Sequence, residues 1–457
     1  MKSKRTWLTE PALIVVIVFT LIAMLVFDRP LVVGDGPAYL FWLDSITLDG
    51  DLNLDNQAIK FAAVNRYHIY LNQETGRWAS AFPVGVALLL APFYRVAVWL
   101  DALPAFRIND AHFIGLQGVP FAYSLCIMIG VNLYTLAMVG LAYGIARRFV
   151  RPWGAAISVL TVYLCTPMFY YTSVEPLTSH IAGGFAATLF VFLWLRAREG
   201  LIAREWKESL VWLWVGLAAG LTALCRWQVA LIALPVGVEL LWSRRWREVV
   251  MLIVGAALLA WIIPYSWWQM YGKLVLIPAT EGDKSAFLMG PVNTLHVLFS
   301  PISGLFPWSP IVGLALFGFV PLARRDWRLA LGALVMFVLQ ALVCGSVKNW
   351  WAGEGLGMRR MAELYPVYVL LLAALLGAAS HYRWLSILLT TLAIALAAYG
   401  VALVLARMNF MWTNPERLAR DLPWTELRYT FSKEHWRLMW PVMKDHVGPW
   451  AWRKPGP

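Results

Sequence analysis

An acidic residue in a glycine-rich turn follows the first long apolar run of the sequence. Asp35 stands in the segment Gly34-Asp35-Gly36-Pro37-Ala38-Tyr39, shortly after an apolar run at 11–27. If that run crosses a membrane, the carboxylate lies at the membrane surface, on a turn that leaves room for a ligand. A carboxylate placed there can accept the proton of an attacking hydroxyl. Asp35 is therefore the catalytic candidate, and a solvated Asp that caps a helix is the alternative.

Other acids and amides follow Asp35 in the same stretch, at Asp44, Asp49, Asp51, Asn53, Asp55 and Asn56. Carboxylates of this kind could hold sugar hydroxyls or a metal ion. We take Asp44 as a substrate-binding candidate. For Asp49, Asp51 and Asp55 we favour solvated surface positions.

A second polar stretch reads Glu175-Pro176-Leu177-Thr178-Ser179-His180, between two apolar runs. A carboxylate and a histidine in such a setting are costly unless they are partnered. A polar substrate pocket near Asp35 would explain both Glu175 and His180. A simple helix N-cap, with Thr178 or Ser179 capping and Glu175 solvated, explains the stretch equally well.

Basic residues supply candidates for anion binding. Arg226, with Gln228 nearby, lies in a tight turn between apolar runs, where a guanidinium could contact phosphate oxygens; a snorkelling arginine is the alternative. A richer segment runs from Lys348 to Glu363 and includes Glu354, Arg359 and Arg360, with glycines at 353, 355 and 357. We expect Lys348, Arg226, Arg359 and Arg360 to bind phosphate, and Gln228 and Glu354 to contact substrate.

The composition indicates that membrane-spanning helices position these candidate residues. The 457 residues are 60% hydrophobic and 14% charged, with a mean hydropathy of +0.63, whereas soluble domains carry about 25% charged residues. Eleven apolar stretches are long enough for transmembrane helices: 11–27, 118–145, 153–171, 178–195, 209–224, 227–242, 249–271, 308–322, 328–345, 362–379 and 384–406. The sequence therefore predicts an all-α polytopic membrane protein.

A twelfth apolar run at 82–100 decides the topology. If it does not cross, short clusters of Lys and Arg such as Arg147/Arg148/Arg151 and Arg244/Arg245/Arg247 fall on the side of the N-terminus, as the positive-inside rule requires. We therefore predict a juxtamembrane or re-entrant helix at 82–100, a cytoplasmic N-terminus and an extracytoplasmic C-terminus. The large first outer loop is then 28–117, the membrane domain is 1–406, and 407–457 is a Trp-rich interfacial tail.

Several classes of protein lack support in the sequence. The net charge of +12 comes from short basic clusters between apolar runs, which is typical of membrane topology and not of nucleic-acid binding. We find no Walker loop, dinucleotide fingerprint, zinc-ligand pair or nucleophile elbow. No cofactor is required, although a divalent metal remains conceivable without support. The four cysteines have no metal-binding spacing.

With this layout, the chain resembles the GT-C superfamily of membrane glycosyltransferases. It is most similar to the bacterial family 39 and Rgt-type branch, which is related to protein O-mannosyltransferases and the lipid A aminoarabinose transferase. The matching segments are Gly34–Tyr39, Phe82–Phe93, Glu175–His180, Ser300–Pro310 and Trp351–Arg360. Relatives often have Asp-Glu where this chain has Asp35-Gly36, which weakens a metal-dependent interpretation.

The resemblance implies a GT-C-like bundle of about eleven transmembrane helices, with juxtamembrane helices in the first outer loop. It also implies an inverting transfer from a polyprenyl-phosphate-linked sugar donor to a glycan, lipid or protein acceptor, with Asp35 in the place of the catalytic carboxylate that follows the first helix. The expected location is the bacterial cytoplasmic (inner) membrane, among membrane lipids and without nucleic acid. A flippase or transporter of lipid-linked saccharides, or an enzyme like an O-antigen ligase or polymerase, is the alternative.

Overall fold

The computed structural model describes residues 7–28, 32, 34–61, 68–103, 119–200, 210–274, 288, 290–353 and 355–413. Within these ranges the chain is helical apart from one short hairpin and the connecting turns. The α-helices of the first half are α1 (Pro11–Phe27), α2 (Gly36–Asp44), α3 (Asp55–Lys60), α4 (Gly85–Asp101), α5 (Phe121–Ala146), α6 (Pro152–Leu164), α7 (Pro167–Ser173), α8 (Ser179–Gly200) and α9 (Val211–Cys225). The hairpin strands are β1 (Ile69–Leu71) and β2 (Trp78–Ser80).

The second half continues in the same way. Its α-helices are α10 (Ala233–Trp242), α11 (Trp246–Ala260), α12 (Ile262–Tyr271), α13 (Thr294–Phe299), α14 (Leu305–Trp308), α15 (Pro310–Leu316), α16 (Phe319–Arg325), α17 (Trp327–Gly345), α18 (Tyr365–Ala379) and α19 (Arg383–Thr413). Short 3-10 turns cover Trp7–Thr9, Trp227–Ile232 and Arg359–Leu364, and a π turn covers Ser45–Asp49.

In the part of the chain that the structure describes, six helices are long and apolar enough to cross a membrane. They are Ala122–Ala146, Ser179–Glu199, Trp246–Tyr271, Trp327–Gly345, Arg359–Ala379 and Arg383–Met408, and a bent pair makes a seventh. Shorter apolar helices cover Pro11–Phe27, Val211–Cys225 and Trp227–Trp242. The prediction of an all-α polytopic membrane protein is confirmed, whereas the count of eleven spanning helices is not.

Two predicted spans differ in detail from the observed helices. The stretch 153–171 is broken between α6 and α7, which meet at a bend of 70°. Pro167 opens α7 and cannot donate to the preceding turn, so the helix cannot continue straight. The stretch 308–322 is divided among α14, α15 and α16. There, a Cβ at Gly318 would lie 1.9 Å from the carbonyl oxygen of Leu371, so close packing against α18 determines the local path.

The segment between α1 and α5, which we predicted to be the first outer loop, forms short elements in its described residues. After α1 the chain forms α2 and α3, then the antiparallel β1–β2 hairpin, then α4. The hairpin is anchored to α12, because the hydroxyls of Tyr70 and Tyr271 lie 2.8 Å apart. At the start of α4, a Cβ at Gly85 would lie 2.3 Å from the carbonyl carbon of Leu224. The loop is therefore packed onto the end of α9.

A closely packed helix crossing joins α9 to α11. A Cβ at Gly255 would lie 2.2 Å from the carbonyl oxygen of Leu213, and one at Gly216 would lie 2.3 Å from that of Leu252. Small residues that allow backbones to approach are the usual basis of such contacts in membranes.

Gly255→Ala is expected to lower the thermal stability of the purified protein. The added methyl group must push the two helices apart, at a cost of about 1–3 kcal/mol. Gly237→Ala is the matched control, because nothing lies within 4 Å of a Cβ at that helical position; it should leave stability unchanged or raise it by up to about 1 kcal/mol. Thermal unfolding in detergent measures both, and equal midpoints for the two variants would contradict the close crossing.

The bundle has two polar layers at opposite ends. At one end, Arg198 contacts Glu239 at 2.6 Å and Asp326 at 2.7 Å, which joins α8, α10 and the start of α17. Ser179, at the other end of α8, is 19 residues away, or about 28 Å at 1.5 Å per residue. This separation is close to the hydrocarbon thickness of a bilayer, about 30 Å. The layer at the Ser179 end contains the candidate site.

Candidate functional site

The turn that holds Asp35 is determined by the residues on either side. Gly34 has φ +60°, a conformation that strains other residues, and Pro37 lies in the first turn of α2. A Cβ at Gly36 would lie 3.3 Å from the carbonyl oxygen of Leu177, so the turn packs on the segment before α8. The Asp35 side chain makes no capping hydrogen bond to α2, which leaves the carboxylate for other contacts.

Both carboxylate oxygens of Asp35 contact nitrogen atoms from distant segments. Oδ2 accepts a hydrogen bond from Nη1 of Arg359 at 3.2 Å. Oδ1 lies 3.3 Å from Nε2 of His68. The side chain of Asp35 is 9% exposed and that of Arg359 is 16% exposed, whereas that of His68 is 27% exposed. Burial alone would raise the pKa of Asp35, but Arg359 and His68 outweigh it and hold this pKa well below its usual value.

The loop before Arg359 is shaped by its glycines. A Cβ at Gly355 would lie 2.2 Å from the Tyr171 hydroxyl and 2.8 Å from Cδ of Arg359, and one at Gly357 would lie 2.8 Å from Cβ of Trp308. From the sequence we expected these glycines to admit a ligand. At Gly355 and Gly357 they instead admit protein side chains, which places Arg359 at the start of the 3-10 turn Arg359–Leu364.

Glu175 lies beside the Asp35 turn. Oε1 of Glu175 accepts a hydrogen bond from the hydroxyl of Tyr170 at 2.7 Å. Its Oε2 lies 3.4 Å from the position that a Cβ would take at Gly34. Burial raises the pKa of Glu175, and the negative charge of Asp35 adds to this rise; Tyr170, Arg359 and Arg407 oppose it only in part. The carboxyl group of Asp35, whose pKa is lowered, therefore lies close to that of Glu175, whose pKa is raised.

Glu175→Gln should change how stability depends on pH. A carboxyl whose pKa is raised by folding stabilises the native state below its unfolded pKa, and this contribution is lost as pH rises through the folded pKa. The wild type should therefore lose stability relative to Glu175→Gln as pH rises, by about 1.4 kcal/mol for each unit of pKa shift. Thermal unfolding at a series of pH values measures this. Glu199→Gln, at an exposed carboxyl, is the control, and a difference independent of pH would contradict the shift.

A second ion-pair cluster joins α8, α9 and the 3-10 turn Arg359–Leu364. Oε1 of Glu363 lies 3.0 Å from Nη1 of Arg226 and 2.8 Å from Nδ1 of His180. Nη1 of Arg226 also donates to Oγ of Ser179 at 3.0 Å. When the carboxamide of Gln228 is oriented with its oxygen towards the guanidinium, this oxygen accepts from Nε of Arg226 at 2.7 Å. Glu363 and His180 are almost completely buried.

The two clusters are adjacent. The ring of Tyr171 lies 4.1 Å from that of His180, while its hydroxyl lies beside Gly355 and Arg359. Within the described part of the chain, Oε2 of Glu363 is buried without a hydrogen-bond partner. An anionic oxygen with this unused capacity can accept a hydrogen bond from a polar substrate group.

The remaining predicted residues lie in different places. Nη1 of Arg360 donates to the carbonyl oxygen of Asn349 at 2.5 Å. Lys348 is exposed. Asp44 lies nine residues along the chain from Asp35, about 13 Å away along α2, and contacts Lys60 at 2.6 Å and Tyr94 at 2.8 Å. Glu354 lies outside the described residues.

Several site residues were not predicted from the sequence. His68 and Tyr171 had no pattern to distinguish them. Glu363 ended the basic segment 348–363 but was not chosen as a candidate. Arg407, near the end of α19, influences Glu175 electrostatically, although the sequence placed it at the start of the tail. A lone polar residue within an apolar run was the available signal for Arg407.

Guanidinium and carboxyl groups lie close together in this layer. Among the described residues, the guanidinium groups of Arg226, Arg359, Arg360 and Arg407 interact electrostatically with the carboxyl groups of Asp35, Glu175 and Glu363. Among the described residues there is no group of three or more His, Cys, Asp or Glu side chains that could hold a metal ion.

Comparisons with known proteins give three findings. Residues 122–268 match the family model described as dolichyl-phosphate-mannose-protein mannosyltransferase. No curated protein matches the sequence significantly. The similar solved structures include ArnT from Cupriavidus metallidurans, bound to undecaprenyl phosphate, and the Archaeoglobus fulgidus oligosaccharyltransferase in its apo form.

The structural likenesses are distant. ArnT has a TM-score of 0.48 and 14% identity, over 91% of this chain and 73% of ArnT. The oligosaccharyltransferase has a TM-score of 0.47 and 12% identity, over 100% of this chain and 62% of the other. The family match rests on the segment from α5 to α12, which includes Glu175, His180, Arg226 and Gln228. Through this segment, which is about a third of the chain, the protein is similar to the family of dolichyl-phosphate-mannose-protein mannosyltransferases.

Proposed function

We propose that the protein transfers a sugar from a polyprenyl-phosphate carrier to a hydroxyl acceptor, with inversion at the anomeric carbon. The acceptor is a glycan, a lipid or a protein, and the reaction takes place at the outer face of the bacterial cytoplasmic membrane. One observation carries this proposal: the contact of 3.2 Å between Asp35 and Arg359. It joins a carboxylate and a guanidinium from opposite ends of the chain in one polar layer.

The chemistry follows from what each group can do. As the acceptor oxygen attacks C1, its proton must leave, and the Asp35 carboxylate supplies the negative charge that favours this loss. As the bond from C1 to the phosphate oxygen breaks, negative charge grows on the departing phosphate. Arg359 is the main group to stabilise that charge, and Arg226 assists it. Fixed cationic donors of this kind each contribute roughly 3–4 kcal/mol.

The outer-face location rests on charge distribution. The polar layer formed by Arg198, Glu239 and Asp326 joins loops that the positive-inside rule assigns to the cytoplasm. Asp35 lies at the opposite end of the bundle. The guanidinium groups of Arg226 and Arg359 in the same layer as Asp35 suit a phosphodiester, which carries one negative charge. The side chains of Leu295, Phe299 and Ile302 are exposed near this layer and suit contact with membrane lipids.

A direct assay tests the proposal. The purified protein, reconstituted in lipid nanodiscs, is given synthetic polyprenyl-phosphate sugars and an extract of cell-envelope glycans and lipids. The expected products are a new glycoside of inverted configuration and free polyprenyl phosphate. Comparing glycans and lipids from cells with and without the gene by mass spectrometry identifies the sugar and its acceptor together.

The same assay distinguishes the alternatives. A flippase would move the lipid-linked saccharide across the bilayer without breaking a glycosidic bond. A ligase or polymerase would use a diphosphate-linked oligosaccharide and release polyprenyl diphosphate. Either outcome, without release of polyprenyl monophosphate, would refute the proposed reaction.

A further inference from the structure

A cavity lies between helix α13 and the loop that leads to Arg359. Its volume is about 560 Å³, which falls within the range of about 300–1,000 Å³ that is usual for small-molecule sites. Such sites are mostly apolar and aromatic, with a few polar groups, and this cavity has that character. Its lining includes Leu295, His296, Phe299, Pro301, Ile302 and Trp350.

Helix α13 lies at the end of a helix that is long and apolar enough to cross a membrane. A Cβ at Gly345, the last residue of α17, would lie 2.3 Å from Oγ1 of Thr294. The carbonyl oxygen of Gly345 also accepts a hydrogen bond from the amide of Asn293 at 3.0 Å. The other end of α17 begins beside Asp326, in the polar layer of Arg198. The cavity is therefore at the end of the bundle that contains the candidate site.

One wall of the cavity is joined to the loop that carries Arg359. The indole Nε1 of Trp308 donates to the carbonyl oxygen of Pro301 at 3.0 Å. Cβ of Trp308 lies 2.8 Å from the position that a Cβ would take at Gly357, and Gly357 precedes Arg359 by two residues. The cavity and the proposed phosphate site are therefore neighbours.

The opposite wall adjoins a second guanidinium group. The ring of Trp350 stacks on that of His296, with centroids 5.5 Å apart and an interplanar angle of 20°. The residue before Trp350 is Asn349, whose carbonyl oxygen accepts from Nη1 of Arg360 at 2.5 Å. Cationic groups and an apolar cavity therefore lie side by side. A lipid phosphate has the same two parts, a charged head and an apolar chain.

The polar side chains of the lining favour an apolar occupant. Nδ2 of Asn293 already donates to the carbonyl oxygen of Val347 at 3.3 Å, and Oγ of Ser300 accepts from the amide of Ile302 at 3.3 Å. A sugar ring enclosed here would need several hydrogen-bond partners. A hydrocarbon chain needs none, and packs well against aliphatic and aromatic side chains.

Apolar side chains also connect the cavity to the protein surface. Leu295 is 71% exposed, Phe299 is 59% exposed and Ile302 is 44% exposed. Exposed apolar patches of this kind mark contacts with membranes or ligand-binding grooves. Because these side chains lie at the end of α17, a hydrocarbon chain can enter the cavity from the bilayer.

We propose that this cavity holds the isoprenoid chain of the lipid-linked donor, next to its phosphate. This inference rests on the proposed transfer from a polyprenyl-phosphate carrier, and it names the residues that bind the carrier's chain. Arg359 would hold the phosphate while Leu295, Phe299 and Trp350 pack against the first isoprene units. A chain that leaves the bilayer gains little from the hydrophobic effect, so its affinity depends on packing within the cavity.

A photoreactive probe tests the occupant directly. The probe is polyprenyl phosphate with a diazirine on its second isoprene unit, added to wild-type protein in phosphatidylcholine nanodiscs. After irradiation, peptide mass spectrometry should locate the label within 293–302 or at Trp350. Unlabelled polyprenyl phosphate in about tenfold excess should reduce this labelling about tenfold by mass action, whereas phosphatidylglycerol at the same excess should leave it unchanged. Labelling that both lipids displace equally, or labelling only elsewhere, would overturn the inference.

Leu295→Trp tests the cavity by filling it. The larger side chain should raise the KM for a long-chain donor about tenfold through overpacking, with kcat unchanged. The KM for a donor whose phosphate carries only a short alkyl group should not change. Leu388→Trp, at a leucine that is 62% exposed near the start of α19, is the matched control. Equal KM values for the two variants would contradict the proposal, and thermal unfolding of each checks its folding.

The two experiments separate this inference from the proposed reaction. Labelling by the probe requires binding but no turnover. A labelled cavity in a protein that releases no polyprenyl phosphate from the donor would keep the binding site and refute the transfer. Transfer by a protein without label in the cavity would refute the binding site and keep the reaction.

Discussion

Asp35→Asn should reduce glycosyl transfer by about 10³–10⁴-fold. A neutral amide cannot supply the negative charge that favours loss of the acceptor's proton. Loss of a catalytic carboxylate that assists proton transfer lowers the rate by about this factor. The amide can still accept a hydrogen bond from Arg359, so the site should keep its shape. The initial rate of release of polyprenyl phosphate, measured with saturating donor, gives the effect.

The matched control for this variant is Asp49→Asn. It makes the same chemical change in the same outer loop, at an exposed residue that contacts Asn56 and Gln57. Its activity should stay close to that of the wild type. If Asp35→Asn also turned over at nearly the wild-type rate, Asp35 would have no catalytic role.

Arg359→Gln should lower kcat by about 10²–10³-fold, because one fixed donor to the developing phosphate charge is lost. An interaction that strengthens in the transition state affects kcat, whereas equal binding of substrate and transition state affects KM. We therefore expect the KM for the lipid-linked donor to change much less than kcat. Steady-state kinetics over a range of donor concentrations measures both constants.

Measurement of thermal stability separates the loss of kcat in Arg359→Gln from damage to the fold. Arg359→Gln leaves the buried carboxylate of Asp35 without its guanidinium, and breaking a buried pair in this way costs about 3–5 kcal/mol at most. The double variant Asp35→Asn/Arg359→Gln should recover part of that loss, because neither charge remains. Arg383→Gln, at an exposed arginine, is the control. A raised KM with unchanged kcat would show that Arg359 binds the donor phosphate but does not stabilise the transition state.

The local sequence was enough to predict some of the residues that meet in the site, but not how they pair. Asp35 and Arg359 were predicted because each stands in a glycine-rich segment at the end of an apolar run, where a charge is costly without a function. Their contact places them in one layer, as expected. Arg360 looked equivalent to Arg359, yet it faces Asn349. Neighbouring residues on a tight turn point in different directions, which spacing alone does not reveal.

Contacts between distant segments could not be predicted. Glu363 contacts His180 across 183 residues, and His68 reaches Asp35 only because the hairpin is packed on α12. Helix breaks show the same limit. Hydropathy suggested one span at 308–322, whereas packing at Gly318 divides it. Hydropathy measures whether a segment prefers lipid, but not where a neighbouring backbone forces it to bend.

The separation of Asp35 and Arg359 along the chain has a consequence for biosynthesis. These residues are 324 positions apart, so at 5–20 residues per second a ribosome needs roughly 16–65 s to add the second after the first. A nascent chain therefore presents an acidic turn to the membrane surface well before it can hold an anionic lipid. Under the proposed function, capture of the lipid-linked donor has to wait until the late helices have inserted, and a prematurely terminated polypeptide would not hold it.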